Sequence, residues 1–146
     1  MNRQVWRSSQ SGFSLLEVLI TMVIIAVGLM GFASMMVQSM KNNRMAMQRS
    51  LATFYAYEII DCMRVNQQAA ISGGYTRDFE DTIPTASTSV AAADLNLWLT
   101  SLSAVLPSGA GSITILGNTV TVQIRWSESL NASDGESHTW KTVSTL

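Results

Sequence analysis

Gly12-Phe13-Ser14-Leu15-Leu16-Glu17-Val18-Leu19-Ile20 opens the stretch on which the reading of this chain turns. Across the 25 positions from Phe13 to Val37, the only ionisable side chain is Glu17. At about 1.5 Å per residue, a helix of that length spans roughly 37 Å, enough to cross a hydrocarbon layer of about 30 Å. Residues 1–12 carry Arg3, Arg7 and the terminal amine, and no acid. Basic flanks stay on the cytoplasmic side, so the rest of the chain is expected in the periplasm. A cleaved secretory signal needs a shorter apolar core closed by a small-residue site. The nearest candidate here, Ala33-Ser34-Met35, fits that poorly. A plain anchor leaves Glu17 unexplained, because a carboxylate inside a membrane helix costs about 2.5–3.5 kcal/mol.

Composition narrows the field further. Of 146 residues, 13% are charged, and nine basic against ten acidic residues leave a formal net charge of −1. Phosphate binding needs a basic patch, so no nucleic acid is expected as a specific partner. One cysteine, Cys62, and one histidine, His138, are too few for an internal disulfide or a structural zinc site. No Gly-rich phosphate loop appears, and no Ser/Asp arrangement accompanies His138. The expectation is therefore a non-enzyme with no cofactor, no metal and no catalytic residue. The methionines cluster at 22–63, where helix packing explains them better than metal binding.

There is no proline before Pro84, so nothing forces the helix to stop at the membrane. Gly28 and Gly31 interrupt the apolar run, either as ordinary membrane glycines for close helix packing or as points of local flexibility. Beyond Val37 the pattern turns amphipathic. Met47, Leu51, Tyr55, Ile59 and Cys62 form a stripe spaced four, four, four and three. The helix is expected to run to about Ala70, ahead of Gly73-Gly74, with a length near 85 Å. Its N-terminal half is expected to protrude, and its C-terminal half to pack on a small domain. Cys62 on that stripe reads as a buried small hydrophobe.

Residues 71–90 read as a loop, with Asp78, Glu80 and Asp81 as solvated acids rather than a calcium site. Residues 91–106 read as a helix starting near Asp94, with Leu95, Trp98, Leu99, Leu102 and Leu106 on one face. Ile113–Leu116 and Thr119–Trp126 alternate across Gly117-Asn118, a hairpin signal. A polar loop, 127–136, and a last strand, 139–145, complete a three-stranded antiparallel sheet. The fold class is α+β, a long helix on a small sheet. Asn131-Ala132-Ser133 matches a glycosylation sequon that is common by chance.

The stretch Gly12–Ile20 closely resembles the class III signal of type IV pilins and type II secretion pseudopilins: a basic leader, a Gly, an aromatic residue, and a Glu five positions after the Gly. The resemblance implies that prepilin peptidase cuts between Gly12 and Phe13 and that the new N-terminal Phe13 is N-methylated. Residues 1–12 are then a lost leader, and 134 residues with seven bases and ten acids remain. It implies four segments: the leader 1–12, a membrane and filament-core helix 13–40, an amphipathic continuation 41–70, and a periplasmic domain 71–146. Glu17 lies one helical turn from the mature amine. The resemblance implies that it meets the amine of a neighbouring subunit and sets register, pairing a charge otherwise costly to bury.

Three further stretches resemble the PilV minor pilins, the type IV pilus modification group: Val27–Ala33, Glu58–Asn66 and Val120–Trp126. Position 62 departs from that group in being Cys rather than polar. Ser34 stands where major pilins commonly carry a helix-bending Pro, which suits a minor component. The resemblance implies a subunit of a pilus priming or tip complex serving adhesion, twitching motility or DNA uptake. Its partners would be membrane lipid before assembly, the inner-membrane assembly platform, other minor pilins and the major pilin. The alternatives are a minor pseudopilin of type II secretion, which shares residues 12–40, and a membrane-tethered periplasmic binding module. A DNA-binding tip is disfavoured, since beyond residue 70 the bases are Arg77, Arg125 and Lys141.

Overall fold

A computed structural model of the chain describes residues 12–127 and 137–146. Leader residues 1–11, the loop 128–136 and the sequon at Asn131 lie outside the described residues. The chain divides into two compact units, Met1–Asn42 and Asn43–Leu146. The elements are α1 (Leu15–Val65), α2 (Gln67–Ile71), α3 (Val90–Val105), β1 (Ala110–Leu116), β2 (Thr119–Ser127) and β3 (Ser137–Thr145). The fold is α+β: a long N-terminal apolar helix packed on a three-stranded antiparallel sheet of order β1-β2-β3.

In the Asn43–Leu146 unit, the final turns of α1 bury Gln48, Ala52, Ala56, Ile59, Ile60 and Met63. This stripe lies one residue beyond the expected one. Met47 is exposed, and Leu51, Tyr55 and Cys62 are only partly buried at its margin. The reason is closeness. Ala52 and Ala56 have no exposed surface, and their small side chains let Trp98 of α3 reach the α1 backbone. Trp98 Nε1 donates to Tyr55 O at 2.9 Å, using that carbonyl's second lone pair. Hydrophobic size marks the flanks of the contact, whereas the smallest side chains mark its centre.

Helix α1 ends at Val65, short of the expected Ala70, and the five-residue α2 follows. The break falls at Asn66, whose backbone leaves the helical region (φ −111°, ψ 49°). Its side chain Nδ2 donates to Tyr75 Oη at 3.3 Å. Asparagine offers its backbone such alternatives to helix continuation. Helix α3 starts four residues before Asp94. Ser89 is its N-cap and accepts from Ala92 N at 3.0 Å, a cap worth about 1 kcal/mol. The expected face Leu95, Trp98, Leu99, Leu102 and Leu106 is buried.

The hairpin turns on Gly117, whose φ is +60°, while Asn118 keeps an ordinary φ. A positive φ at the first turn residue alone is the type II′ pattern, which calls for Gly there. Val120, Val122, Ile124 and Trp126 alternate into the core along β2. Each fully buried aliphatic side chain contributes roughly 1.5–3 kcal/mol. The 71–90 segment is more tightly held than a free loop. Arg77 N and O exchange hydrogen bonds with Ile113 on the outer edge of β1. The Arg77 side chain, 9% exposed, donates from Nε to Gly111 O at 3.0 Å and from Nη2 to Asp81 O at 2.8 Å. Burial lowers its pKa, and the nearby Asp81 charge opposes that.

Candidate functional site

The Met1–Asn42 unit carries the residues expected from the sequence to serve processing and assembly. Gly12 and Phe13 precede the helix in exposed chain without regular secondary structure. Ser14 starts α1: its Oγ accepts from Leu16 N at 3.3 Å, and its carbonyl accepts from Glu17 N and Val18 N at 3.0 and 3.2 Å. Ser14-Leu15-Leu16-Glu17 has the Ser-x-x-Glu spacing of a capping box, which places Glu17 in the first turn beside the positive end of the helix dipole. Sequence reading missed the role of Ser14, although that spacing was the signal for it. Among the described residues, no hydrogen bond or salt bridge engages the Glu17 carboxylate, which stands exposed. The Glu17 carboxylate makes no reciprocal capping bond to Ser14 N among the described residues, so its oxygens are available to an outside cation.

The apolar surface around it is continuous. Every large apolar side chain from Phe13 to Met40 is at least 45% exposed. A soluble protein does not keep such a surface in water. The helix is long and apolar enough to cross a membrane. Its few hydroxyls are hidden in the helix itself: Thr21 Oγ1 donates to Glu17 O at 2.7 Å and Ser34 Oγ to Met30 O at 3.1 Å. At Gly28 and Gly31, an added Cβ would meet nothing within 4 Å. Among the described residues, nothing requires these glycines to be small.

Residues 7–33 match the prokaryotic N-terminal methylation motif. That match, with the long apolar helix, supports a type IV pilin-like protein. The motif implies processing by prepilin peptidase and assembly with other pilins, and its families are structural pilins rather than enzymes. It fits membrane anchoring followed by entry into a pilus. Comparison with curated proteins and with solved structures gives no match.

The remaining sequence candidates are absorbed by the fold. Glu80 Oε1 pairs with Arg125 Nη2 at 2.8 Å, and the Arg125 guanidinium lies 4.5 Å from the Phe79 ring centre. Asp81 Oδ2 accepts from Asp78 N, and Asp78 Oδ1 from Phe79 N. These acids shape their own loop. His138 sits on β3 opposite Trp126, with ring centres 6.1 Å apart. Cys62 is half-buried, and its thiol pKa is raised by burial and by the charges of Asp94, Glu58 and Asp61. A raised pKa keeps the thiol protonated and poorly reactive.

Proposed function

We propose that this chain is a minor pilin: a low-abundance subunit that joins a type IV pilus priming or tip complex and supports adhesion, twitching motility or DNA uptake. One observation carries the reading. Glu17 is the lone charge among the 25 positions from Phe13 to Val37, five residues after Gly12, and its carboxylate has no hydrogen bond or salt bridge among the described residues. In lipid or in a filament core, such a group needs an opposite charge. The amine freed at Phe13 of a neighbouring subunit supplies it. Gly28 and Gly31, with open space around them, then serve the approach of neighbouring helices or local bending in the assembled state. Ser34, in place of a helix-bending proline, favours a minor over a major subunit. The sequence likenesses at Val27–Ala33, Glu58–Asn66 and Val120–Trp126 favour the pilus over a secretion pseudopilus.

Before assembly the protein is held in the inner membrane with residues 71–146 in the periplasm. The assembly platform then extracts it, and lipid is exchanged for other pilin helices. The test is intact-mass analysis of the protein recovered from cells, combined with detection in sheared pili. The expected product begins with methyl-Phe13 and co-purifies with pili. A chain starting at Met1, or cut near residue 35, would sink the reading. Glu17→Val is expected to be cleaved normally yet to be missing from pili.

A further inference from the structure

The hydrogen-bond phase of the sheet follows from one contact. Ile113 of β1 exchanges backbone hydrogen bonds with Arg77. Opposed residues of an antiparallel pair alternate between bonding each other and turning both backbone groups away. Ile113 spends its groups on Arg77, so its partner Val122 turns its own toward β3. Val122 opposes Thr142 there, so Thr142 turns inward. Its neighbours Lys141 and Val143 then turn outward, as does Thr139. Strand β3 lies at the edge of the sheet, and the N–H and C=O groups of these three residues have no hydrogen-bond partner among the described residues.

Side chains divide the same strand by face. Trp140 and Thr142 oppose Ile124 and Val122, buried side chains of β2, and so lie on the core-facing side. Trp140 stands at the rim of that side, 37% exposed, and donates from Nε1 to Thr142 Oγ1 at 3.1 Å. Thr139, Lys141 and Val143 lie on the other face and are exposed. Lys141 is the one Lys, Arg, Asp or Glu in β3, and no salt bridge engages it among the described residues. Natural sheets blunt an open edge by keeping it short, by bulging it, or by adding proline or charge. Strand β3 runs nine residues, pairs one-for-one with β2 throughout and contains no proline. Its one such device is Lys141, and a single charge selects among partners rather than closing the edge.

We infer that β3 receives an extended segment of a different protein, which joins the sheet as a further strand with an acidic side chain against Lys141 and an apolar one against Trp140. Only extended backbone matches a row of outward N–H and C=O groups at strand spacing. The segment runs antiparallel, as the rest of the sheet does and as is more stable per residue. A second copy paired through the middle of β3 brings two Lys141 side chains together on one face, and like charges there destabilise the pair. An acid at the same place is attracted. The partner is thus recognisable by an alternating segment, acidic on one face and apolar on the other. The inference rests on the sheet and not on the pilin-type reading, so either can fail without the other.

The test is fluorescence anisotropy of a labelled peptide with the full chain in detergent. The probe is Thr-Val-Thr-Val-Glu-Val-Thr-Val-Thr with its valine amides N-methylated. Those amides point away from β3 when the glutamate opposes Lys141, so the methyl groups stop self-stacking and spare the bonding edge. This peptide is expected to bind, and the same sequence methylated instead at its threonine and glutamate amides is expected not to. Lysine in place of the glutamate should weaken binding about fivefold, and Lys141→Glu should reverse that preference. Val143→Pro removes an outward N–H and no ladder bond, a change edge strands tolerate. It should weaken binding about tenfold or more with thermal unfolding unchanged. If that variant unfolds, the two methylated peptides on the wild-type chain decide. The inference is overturned if the valine-methylated peptide does not bind at up to about 1 mM, if the position of the methyl groups makes no difference, or if Lys141→Glu leaves the charge preference as it was. It is also overturned if sedimentation shows a dimer of the chain that Val143→Pro dissolves, since the occupant is then a second copy.

Discussion

Tyr75, with no exposed surface, donates its phenolic hydrogen to Asp94 Oδ2 at 2.5 Å, while Asn66 Nδ2 donates to the same phenol oxygen at 3.3 Å. One side chain thereby fastens the α1–α2 junction to α3. Tyr75→Phe is expected to lower stability by about 1.5–3 kcal/mol, the usual worth of a hydrogen bond to a charged group. Urea unfolding of the full chain in detergent measures it.

The same phenol makes stability depend on alkaline pH. Its pKa is pushed from 10.0 up to about 12, chiefly by burial and next by the hydrogen bond to Asp94. Above the unfolded value the unfolded chain loses this proton while the folded chain keeps it, so stability falls as pH rises. The contribution is complete below pH 10 and is lost progressively toward pH 12. Urea midpoints across that window should fall more steeply for wild type than for Tyr75→Phe.

Gly111 faces the indole of Trp98, and a Cβ there would lie 2.2 Å from Trp98 Cη2. Gly111→Ala is expected to destabilise by roughly 2–3 kcal/mol, because a packed core has no room to yield. Trp98→Phe relieves the clash at the expense of the bond to Tyr55 O. The double variant is expected to be more stable than the sum of the single changes by at least about 1 kcal/mol. Thermal unfolding of all four chains completes the cycle.

The one-residue rotation of the α1 stripe predicts a contrast. Ala56→Leu places a large side chain at a fully buried position and is expected to cost about 1–3 kcal/mol. Met47→Gln, at a position 65% exposed, is expected to stay within about 0.5 kcal/mol. Equal effects at the two sites would contradict the observed face.

Gly12→Val is expected to block removal of the leader while leaving the folded unit intact. Intact mass reads the retained 12 residues, and the unchanged thermal unfolding of the Asn43–Leu146 unit shows that folding is unaffected.

Much of this was legible because the physical signal was local. The period-2 alternation of β2, the Gly117-Asn118 turn and the apolar run before Val37 each report on their own residues. The face of α1 was not legible in the same way. Hydrophobic spacing points to large side chains, whereas the contact with Trp98 is centred on Ala52 and Ala56, whose value lies in what they omit. The end of α1 depends on Tyr75, nine residues away, holding Asn66. Ser89 was passed over as a cap in favour of Asp94, whose carboxylate is instead engaged by Tyr75. At the candidate site, Gly12, Phe13 and Glu17 were readable from spacing. Whether Gly28 and Gly31 are crowded is a property of the neighbours, and among the described residues nothing lies within 4 Å of an added Cβ there.

The bridge between Arg77 and Ile113 has a consequence for colloidal behaviour. Runaway edge-to-edge aggregation needs two adhesive strand borders per molecule. Here one border is stoppered: Arg77 occupies Ile113 N and O and the carbonyl of Gly111. Among the described residues, β3 is the border without a strand or bridge partner on its outer side. Sheet-mediated association of this protein therefore stops at pairs, and concentrated preparations should not gel into fibrils by that route while Arg77 stays in place.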